Sequence, residues 1–242
     1  MERPMEQIYT SPVNEAFEAA SDSGGCPFCI MRARLDKNEQ ELILGASMME
    51  PDTRIRTNEL GFCPEHFERL ISGGKALPFA LMMESHIEHT RESLKGPGLL
   101  SQKNAAADAR LLDTLSHSCY ICERVEYHFS RMIDTAAYLW ENDPAFREKC
   151  AAIKHFCYPH FGRFIAAARA RMKQKVFSEF YRQVFAIVDA DTEKLLEDVS
   201  FFAKKFDYRY ADEPWDDAKD APRRALRLFC GDDEEDAKKN AT

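Results

Sequence analysis

Residues 121–140 read ICERVEYHFSRMIDTAAYLW, and this stretch decides the fold class. Its apolar side chains recur at every third or fourth position, which places them on one face of an α-helix. They are Ile121, Val125, Phe129, Met132, Ile133, Ala136, Leu139 and Trp140. The alternation of apolar and polar residues that marks a half-buried strand is almost absent from the chain. We therefore predict an all-α fold.

The Cys-x-x-Cys that precedes this helix belongs to a pattern that occurs twice. In each copy a Cys-x-x-Cys is followed, after 33 residues in the first and 34 in the second, by a Cys-x-x-His. The first copy is Cys26-Pro27-Phe28-Cys29 with Cys63-Pro64-Glu65-His66, and the second is Cys119-Tyr120-Ile121-Cys122 with Cys157-Tyr158-Pro159-His160. Two such units in register indicate an internal duplication.

The residue types in each copy are those of a zinc site. Three thiolates and one imidazole complete a tetrahedron around Zn²⁺, and four protein ligands leave no open position for water, as in structural sites. We predict two zinc ions per chain, each held within one copy of the repeat. The predicted ligands are Cys26, Cys29, Cys63 and His66 for the first ion, and Cys119, Cys122, Cys157 and His160 for the second.

The sequence is also consistent with two other uses of these cysteines. Cysteine clusters also hold iron–sulfur clusters, and thiols at helix N-termini have lowered pKa values and act in redox chemistry. Pro64 and Pro159 predict helix starts at the Cys-x-x-His motifs, so that each metal would lie where two helix N-termini converge. Cys150 and Cys230 lie outside the repeat, and we expect both to be small buried side chains.

The domain organisation is predicted from the best break in the helical pattern, Lys95-Gly96-Pro97-Gly98. It divides the chain into an N-terminal lobe, 1–98, and a C-terminal lobe, 99–230, two pseudo-repeated helical lobes each organised around one Cys3His site. Residues 231–242 are charged and almost free of apolar residues, and we expect a disordered acidic tail.

Composition and charge exclude several classes of protein. The chain has 242 residues, of which 45% are hydrophobic and 31% charged, as in ordinary globular proteins. A formal net charge of −8 argues against a protein that binds along the phosphate backbone of nucleic acids. Stretches free of charged residues are too short for a membrane helix. The first residues lack the pattern of a secretory signal, so we expect a cytoplasmic protein.

A polar segment between two predicted helices is the candidate ligand pocket. Glu50, Asp52, Arg54, Arg56 and Asn58 give it more polar groups than a connection needs. The alternative is a surface loop with turn and cap residues. The chain contains no Gly-x-Gly-x-x-Gly, Walker A, His-Glu-x-x-His or Gly-x-Ser-x-Gly motif.

The chain resembles an uncharacterised bacterial family with duplicated Cys-x-x-Cys … Gly-Phe-Cys-x-x-His motifs, a domain of unknown function. The resemblance covers nearly the whole chain. It runs from Pro12-Val13-Asn14-Glu15-Ala16-Phe17 through Cys26-Pro27-Phe28-Cys29, Gly61-Phe62-Cys63-x-x-His66 and Glu213-Pro214-Trp215 to Asp220-Ala221-Pro222-Arg223-Arg224-Ala225. It implies that the segments 50–58 and 206–215 are family features. The sequence departs from the family pattern at His155, where relatives have Gly as at Gly61. The resemblance supplies no reaction.

Three functions are consistent with these residues. The first is a zinc-binding helical protein with structural metal sites, a binding or scaffold module for an unknown protein or small-molecule partner. The second is an iron–sulfur or thiol redox sensor that uses the same cysteines. The third is an enzyme with a polar pocket near Glu50–Asn58. A role outside catalysis is favoured because no catalytic motif occurs. Oligomeric state and pathway do not follow from the sequence.

Overall fold

A computed structural model describes residues 4–210 and 212–232, with the side chains of residues 4–7 left out. Within these ranges the chain forms eleven α-helices, three short 3-10 helices and no strand, so the all-α prediction is confirmed. The α-helices are α1 (Pro4–Ser23), α2 (Pro27–Ile43), α3 (Pro51–Leu60), α4 (Pro64–Ser72), α5 (Ala76–Ser93), α6 (Ser101–His117), α7 (Tyr120–Asn142), α8 (Pro144–Ala151), α9 (Tyr158–Arg171), α10 (Gln174–Lys204) and α11 (Ala221–Cys230). The 3-10 helices are η1 (Ala46–Met49), η2 (Tyr208–Tyr210) and η3 (Asp216–Asp220).

Four helices begin at the cysteine motifs, and two of these helices begin with a proline. Helices α2 and α4 begin at Pro27 and Pro64, directly after a cysteine, and α7 and α9 also begin directly after a cysteine. Proline suits the first turn of a helix because it fixes φ and lacks an N–H that would have no partner there. The first cysteine of each motif therefore lies at a helix N-terminus, as predicted.

The chain divides into two compact units. Unit 1 comprises the described residues of Met1–Arg34 and Phe129–Thr242, and unit 2 is Leu35–His128. The chain leaves unit 1 within α2 and returns to it within α7. The observed division thus differs from the predicted one at residue 98. The Gly-Pro-Gly sequence is a connection between α5 and α6 inside unit 2, because a break in helix marks a turn and not necessarily a domain boundary.

The core of unit 1 is aromatic. Seven phenylalanines are fully buried there: Phe17, Phe28, Phe129, Phe146, Phe156, Phe164 and Phe180. Ring centroids lie 4.7 Å apart for Phe17 and Phe146 and 4.8 Å apart for Phe164 and Phe180. Rings at these separations in tilted or edge-to-face arrangements pack favourably. The phenylalanines come from both segments of unit 1, at positions 17–28 and 129–180, and hold those segments together.

The core of unit 2 is smaller and mainly aliphatic. Its buried members are Ile43, Leu44, Phe62, Leu70, Met82, Cys119, Ile121 and Val125. Helix α3 packs against α5. Gly61, which follows α3, has φ +58°, and a Cβ there would lie 2.9 Å from Nε2 of His86, so the position requires glycine.

The two cysteines outside the repeat differ in burial. Cys150 is fully buried, as expected, and burial raises its pKa to about 12. Cys230 is exposed at the end of α11, so the prediction of a buried side chain is wrong there. Its helix is strongly amphipathic: Leu228 faces the core while Phe229 is 64% exposed.

The predicted tail, 231–242, lies outside the described residues except for Gly231 and Asp232. No helix in the described ranges is long and apolar enough to cross a membrane.

Candidate metal centres

Eight Cys and His side chains form two groups of four. Cluster A consists of Cys26, Cys29, Cys157 and His160, and cluster B consists of Cys63, His66, Cys119 and Cys122. In each group all donor atoms lie within 4.8 Å of one another. Cluster A lies in unit 1 and cluster B in unit 2. All eight predicted ligands therefore belong to one of the two clusters. None of the cysteines forms a disulfide.

The distances in cluster A are those around one tetrahedral ion. Zinc bonded to sulfur at about 2.3 Å and to nitrogen at about 2.0–2.1 Å holds thiolates about 3.8 Å apart and a thiolate and imidazole about 3.6 Å apart. The sulfur of Cys157 lies 3.7 Å from that of Cys29 and 3.8 Å from that of Cys26. Nδ1 of His160 lies 3.2, 3.3 and 4.0 Å from the three sulfurs. The donors fit a zinc ion.

Cluster A is enclosed by aromatic rings. All four ligands are buried. The imidazole of His160 has ring centroids 5.0 Å from Phe129 and 6.2 Å from Phe28. Among the described residues, no carboxylate contacts this imidazole. The orientation of His160 is therefore fixed by packing.

Residues 231 and 232 complete the surroundings of cluster A. The N–H of Asp232 donates to the sulfur of Cys29 at 3.3 Å, and its carboxylate accepts from the N–H of Cys26 at 3.4 Å. Gly231 has φ +89°, and a Cβ there would lie 3.4 Å from the Cys29 sulfur. A backbone N–H stabilises a thiolate ligand. This contact could not be predicted from the sequence, because Gly231 and Asp232 begin a charged segment that is expected to be exposed.

Cluster B has the same donor types and similar distances. Nδ1 of His66 lies 3.1 Å from the sulfur of Cys63, 3.3 Å from that of Cys119 and 3.4 Å from that of Cys122. The sulfurs of Cys63 and Cys122 are 3.9 Å apart. Cys122 is exposed and Cys63 is partly exposed. Cluster B therefore also fits one tetrahedral ion, but it is open to solvent on one side.

A carboxylate orients the imidazole in cluster B. Nε2 of His66 contacts Oδ1 of Asp36 at 2.7 Å, and Arg69 donates to Oδ2 of Asp36 at 2.8 Å. Carboxylate–histidine–metal arrangements of this kind fix the ring and its tautomer. Burial lowers the pKa of His66, but hydrogen bonds with Asp36 and Cys119 outweigh it and raise that pKa to about 10. No sequence motif marks Asp36 as a partner of His66, because it lies 30 residues away along the chain.

Within each cluster the pKa values of neighbouring thiols shift in opposite directions, because the ionisation of one thiol opposes that of the next. Hydrogen bonds with Cys26 and Cys29 lower the pKa of Cys157 to about 4, and those with Cys157 and Cys26 raise the pKa of Cys29. In cluster B, burial opposes ionisation of Cys119, yet the hydrogen bond with His66 lowers its pKa to about 6. Burial and the neighbouring Cys119 raise the pKa of Cys122. Adjacent thiolates repel one another, and a divalent cation relieves that repulsion.

The grouping of the ligands corrects the sequence prediction. The Cys-x-x-Cys of each copy joins the Cys-x-x-His of the other copy, not its own. In unit 2 the start of α7 is held beside the end of α3, where Tyr120 donates its N–H to the carbonyl of Gly61 at 3.0 Å. Ser118 also donates its hydroxyl to the carbonyl of Leu60 at 2.7 Å. These bonds bring Cys119 and Cys122 to Cys63 and His66.

The candidate pocket residues separate into two groups on α3. Glu50, Asp52 and Arg56 line a cavity of about 510 Å³ within unit 2. Arg54 instead donates to the carbonyl of Leu81 at 2.7 Å, and the side chain of Asn58 accepts from Ser85 at 2.8 Å. Arg54 and Asn58 therefore attach α3 to α5, because the helical period turns them away from the cavity.

His155, the departure from the family pattern, lies near cluster A. Its Nδ1 contacts Oδ2 of Asp191 at 2.7 Å, and its Nε2 is buried without a hydrogen bond among the described residues. Burial lowers the pKa of His155, but Asp191 outweighs it and the net shift is upward. The pair borders a cavity of about 140 Å³ with Arg224 and Asp232.

The fold and the two clusters define a class: a helical protein with two groups of three cysteines and one histidine, each of which could hold a metal ion. The chain belongs to the family of unknown function DUF6062, which matches residues 5–236. None of the curated proteins compared with the chain matches it, and no solved structure does.

Proposed function

We propose that the protein binds two zinc ions in structural sites and serves as a binding or scaffold module. The observation that carries this proposal is the pair of four-donor clusters, each with all its donor atoms within 4.8 Å. Four protein donors around one ion leave no position for a substrate, which is typical of structural zinc.

The compactness of the clusters favours a single ion over an iron–sulfur cluster. In such a cluster the cysteine ligands bind different iron atoms, so their sulfurs are spread around several metals. Here three sulfur–sulfur distances are 3.7–3.9 Å, which suits ligands of one metal. Zinc also suits three thiolates and one imidazole without any redox step.

The structural role follows from the length of chain that each ion would close. Cys29 and Cys157 are 128 residues apart, and Cys63 and Cys122 are 59 apart. An ion that joins such distant segments removes conformational entropy from the unfolded chain, and its binding free energy becomes folding free energy. We also place the protein in the cytoplasm, where a reducing environment preserves thiolate ligands.

Metal content is the test of this proposal. Protein purified without oxygen should contain two zinc ions per chain by elemental analysis and show no visible absorbance. Iron with acid-labile sulfide, or less than one metal ion per chain, would overturn the proposal. Cys150→Ser is the matched control, because Cys150 lies outside both clusters and its loss should leave two zinc ions bound.

Double variants test which ligands share an ion. Cys63→Ser with Cys119→Ser should retain one zinc ion, because both ligands belong to cluster B. Cys26→Ser with Cys63→Ser should retain none. Pairing within each copy of the repeat would give the reverse result, none for the first double variant and one for the second.

A second candidate function is thiol redox sensing at cluster B, favoured by the exposure of Cys122. Solvent-accessible thiolate ligands are those that peroxide reaches first. Under this hypothesis, hydrogen peroxide releases one zinc ion per chain, and a thiol reductant with added zinc restores it. Retention of both zinc ions at peroxide concentrations that oxidise the exposed Cys230 would exclude redox sensing at cluster B.

A further inference from the structure

Helix α10 presents large apolar side chains to solvent at the edge of the face that it buries. Its buried residues are Phe180, Val184, Val188, Leu195 and Asp198. Three exposed side chains each directly follow a buried one: Tyr181 is 40% exposed, Phe185 44% and Leu196 65%. Successive residues of a helix are turned by about 100°, so these three residues share one face, the α10 stripe.

The aromatic rings of the α10 stripe are ordered against one another. The ring centroids of Phe177 and Tyr181 lie 5.9 Å apart with an interplanar angle of 7°, and those of Tyr181 and Phe185 lie 5.6 Å apart. Rings that pack in this way hold each other in place. A surface that is already ordered loses little conformational entropy when a partner covers it.

Charge divides α10 and its N-cap into two halves. Residues 173–187 carry three cations and one carboxylate, whereas residues 188–200 carry five carboxylates and one lysine. The charged side chains beside the α10 stripe are exposed, and within the described chain they form no ion pair: Lys175, Arg182, Glu193 and Glu197. The fold therefore leaves a basic half and an acidic half of one helix face without partners.

A second copy of α10, placed antiparallel to the first, supplies those partners. A contact between Lys175 and Glu197 requires a twofold axis near residue 186, and one between Arg182 and Glu193 requires an axis near residue 187. One register therefore satisfies both contacts, and the symmetry makes each contact twice. Phe185 lies within one helical turn of that axis, where the same residue of the other copy would cover it. A parallel arrangement would bring like charges together.

The N-terminus of α10 favours the same arrangement. Lys173 is the N-cap residue, Lys175 follows it, and the first turn contains no carboxylate. Cations are unfavourable at this end of a helix because the macrodipole is positive there. In an antiparallel pair, carboxylates of the second copy would lie beside this end and offset the unfavourable charge.

We propose that the α10 stripe is the contact surface of a homodimer in which two copies of α10 pack antiparallel. Lys175 and Arg182 of each copy pair with Glu197 and Glu193 of the other, on either side of the two Phe185 rings. A single helix pair about 40 Å long is a small interface, so we expect a dissociation constant of about 1–100 µM. This inference names a second copy of the chain as a partner and goes beyond the metal-binding role proposed above.

Sedimentation equilibrium of the full zinc-loaded chain over a wide range of protein concentration tests the proposal. We expect a reversible equilibrium between monomer and dimer. The net charge of −8 repels two copies at long range, so the measurement is made at about 0.15 M ionic strength, where the screening length is about 8 Å. Zinc content is measured on the same sample, so that failure of the metal sites and failure of dimerisation are told apart.

Charge reversal identifies the surface that forms the dimer. Arg182→Glu places like charges opposite each other twice, and it should weaken dimerisation about tenfold or more. Adding Glu193→Arg to the same chain restores opposite charges across the twofold axis and should recover the dimer. Arg110→Glu makes the same change of net charge at an exposed position in unit 2 and should leave dimerisation unchanged. Circular dichroism checks that each variant is folded.

Three results would overturn the proposal. The first is a monomer at every concentration in protein that contains both zinc ions, which would leave the α10 stripe to a different partner. The second is a dimer that Arg182→Glu weakens no more than Arg110→Glu does, which would place the contact elsewhere or show an effect of net charge alone. The third is a double variant that dimerises as poorly as Arg182→Glu, which would show that the two side chains do not meet across the axis.

Discussion

Clusters A and B use the same set of donors, three cysteines and one histidine, but their surroundings differ. In cluster A every ligand is buried, and the imidazole of His160 lies against the rings of Phe28 and Phe129. In cluster B the imidazole of His66 contacts the carboxylate of Asp36, and Cys122 is exposed. Packing positions the ligands of the first cluster, and a polar network positions those of the second.

This contrast separates two properties of a metal site: how much it stabilises the fold, and how fast it exchanges its ion. A ligand set buried in a core exchanges its ion only when that core opens, whereas a partly exposed set can open locally at lower free energy. Cluster A should therefore govern the stability of unit 1, and cluster B should govern how readily metal enters and leaves unit 2.

The largest effect is expected from removing a ligand of cluster A. Cys157→Ser should unfold unit 1, because structural zinc contributes roughly 10 kcal/mol, which is comparable to the whole stability of a domain. Hydrogen exchange with mass spectrometry should show lost protection in α1, α8 and α9. Cys150→Ser, the same change at a buried cysteine outside the cluster, should preserve it. Protection in α9 of the zinc-depleted Cys157→Ser protein would refute the structural role of cluster A.

Zinc transfer to a chelator should distinguish the two clusters kinetically. With excess 4-(2-pyridylazo)resorcinol we expect two phases of equal amplitude that differ at least about tenfold in rate, because exposed ligands open locally. The fast phase belongs to cluster B and should be missing in Cys63→Ser. A single phase, or a fast phase that persists in Cys63→Ser, would show that exposure does not set the rate.

The polar network of cluster B predicts a smaller effect on affinity. Asp36→Asn should weaken zinc binding at cluster B by about 10–100-fold, because the carboxylate orients His66 and increases its basicity, and leave cluster A unchanged. Competition with a zinc-selective dye measures both affinities. Asp113→Asn is the matched control, since Asp113 pairs with an exposed histidine, His117, that is not a ligand. Equal zinc affinities for Asp36→Asn and the control would show that the polar network does not strengthen zinc binding at cluster B.

The smallest effect concerns an ion pair of unit 1 that contains no metal ligand. Asp198 accepts from Lys194 at 2.7 Å and from Arg224 at 2.9 Å, which joins α10 to α11. Burial raises the pKa of Asp198, but these two partners outweigh it and the net shift is downward. Its stabilising contribution is therefore present above the ordinary carboxyl pKa of about 3.9 and is lost as the pH falls through the lowered value.

Asp198→Asn should accordingly lower the free energy of unfolding by about 1–3 kcal/mol at pH 7 and by less in acid. Denaturant titrations at several pH values measure the difference, with exposed Asp189→Asn on the same helix as the control. A loss as large as that of Cys157→Ser would mean that unit 1 does not depend mainly on its metal site.

Local features of the molecule could be predicted from the sequence. Apolar spacing in residues 121–140 identified α7, and Pro64 and Pro159 identified the starts of α4 and α9. The first helix was harder: Ser11 and Pro12 have the pattern of a helix start, yet both lie inside α1. Asp36 and Asp232 carried no sequence signal, because a charged residue on a helix or in a tail is usually exposed.

The sequence by itself determined which eight side chains form the candidate metal sites, in four pairs with two residues between the members of each pair. Only the tertiary structure decided how the pairs combine. Each Cys-x-x-Cys can complete a tetrahedron with either Cys-x-x-His, because the two copies offer identical donors at identical spacing. The choice lies in contacts between distant segments, such as the Tyr120–Gly61 hydrogen bond and the phenylalanine core around Phe28. Local spacing carries no information about those contacts.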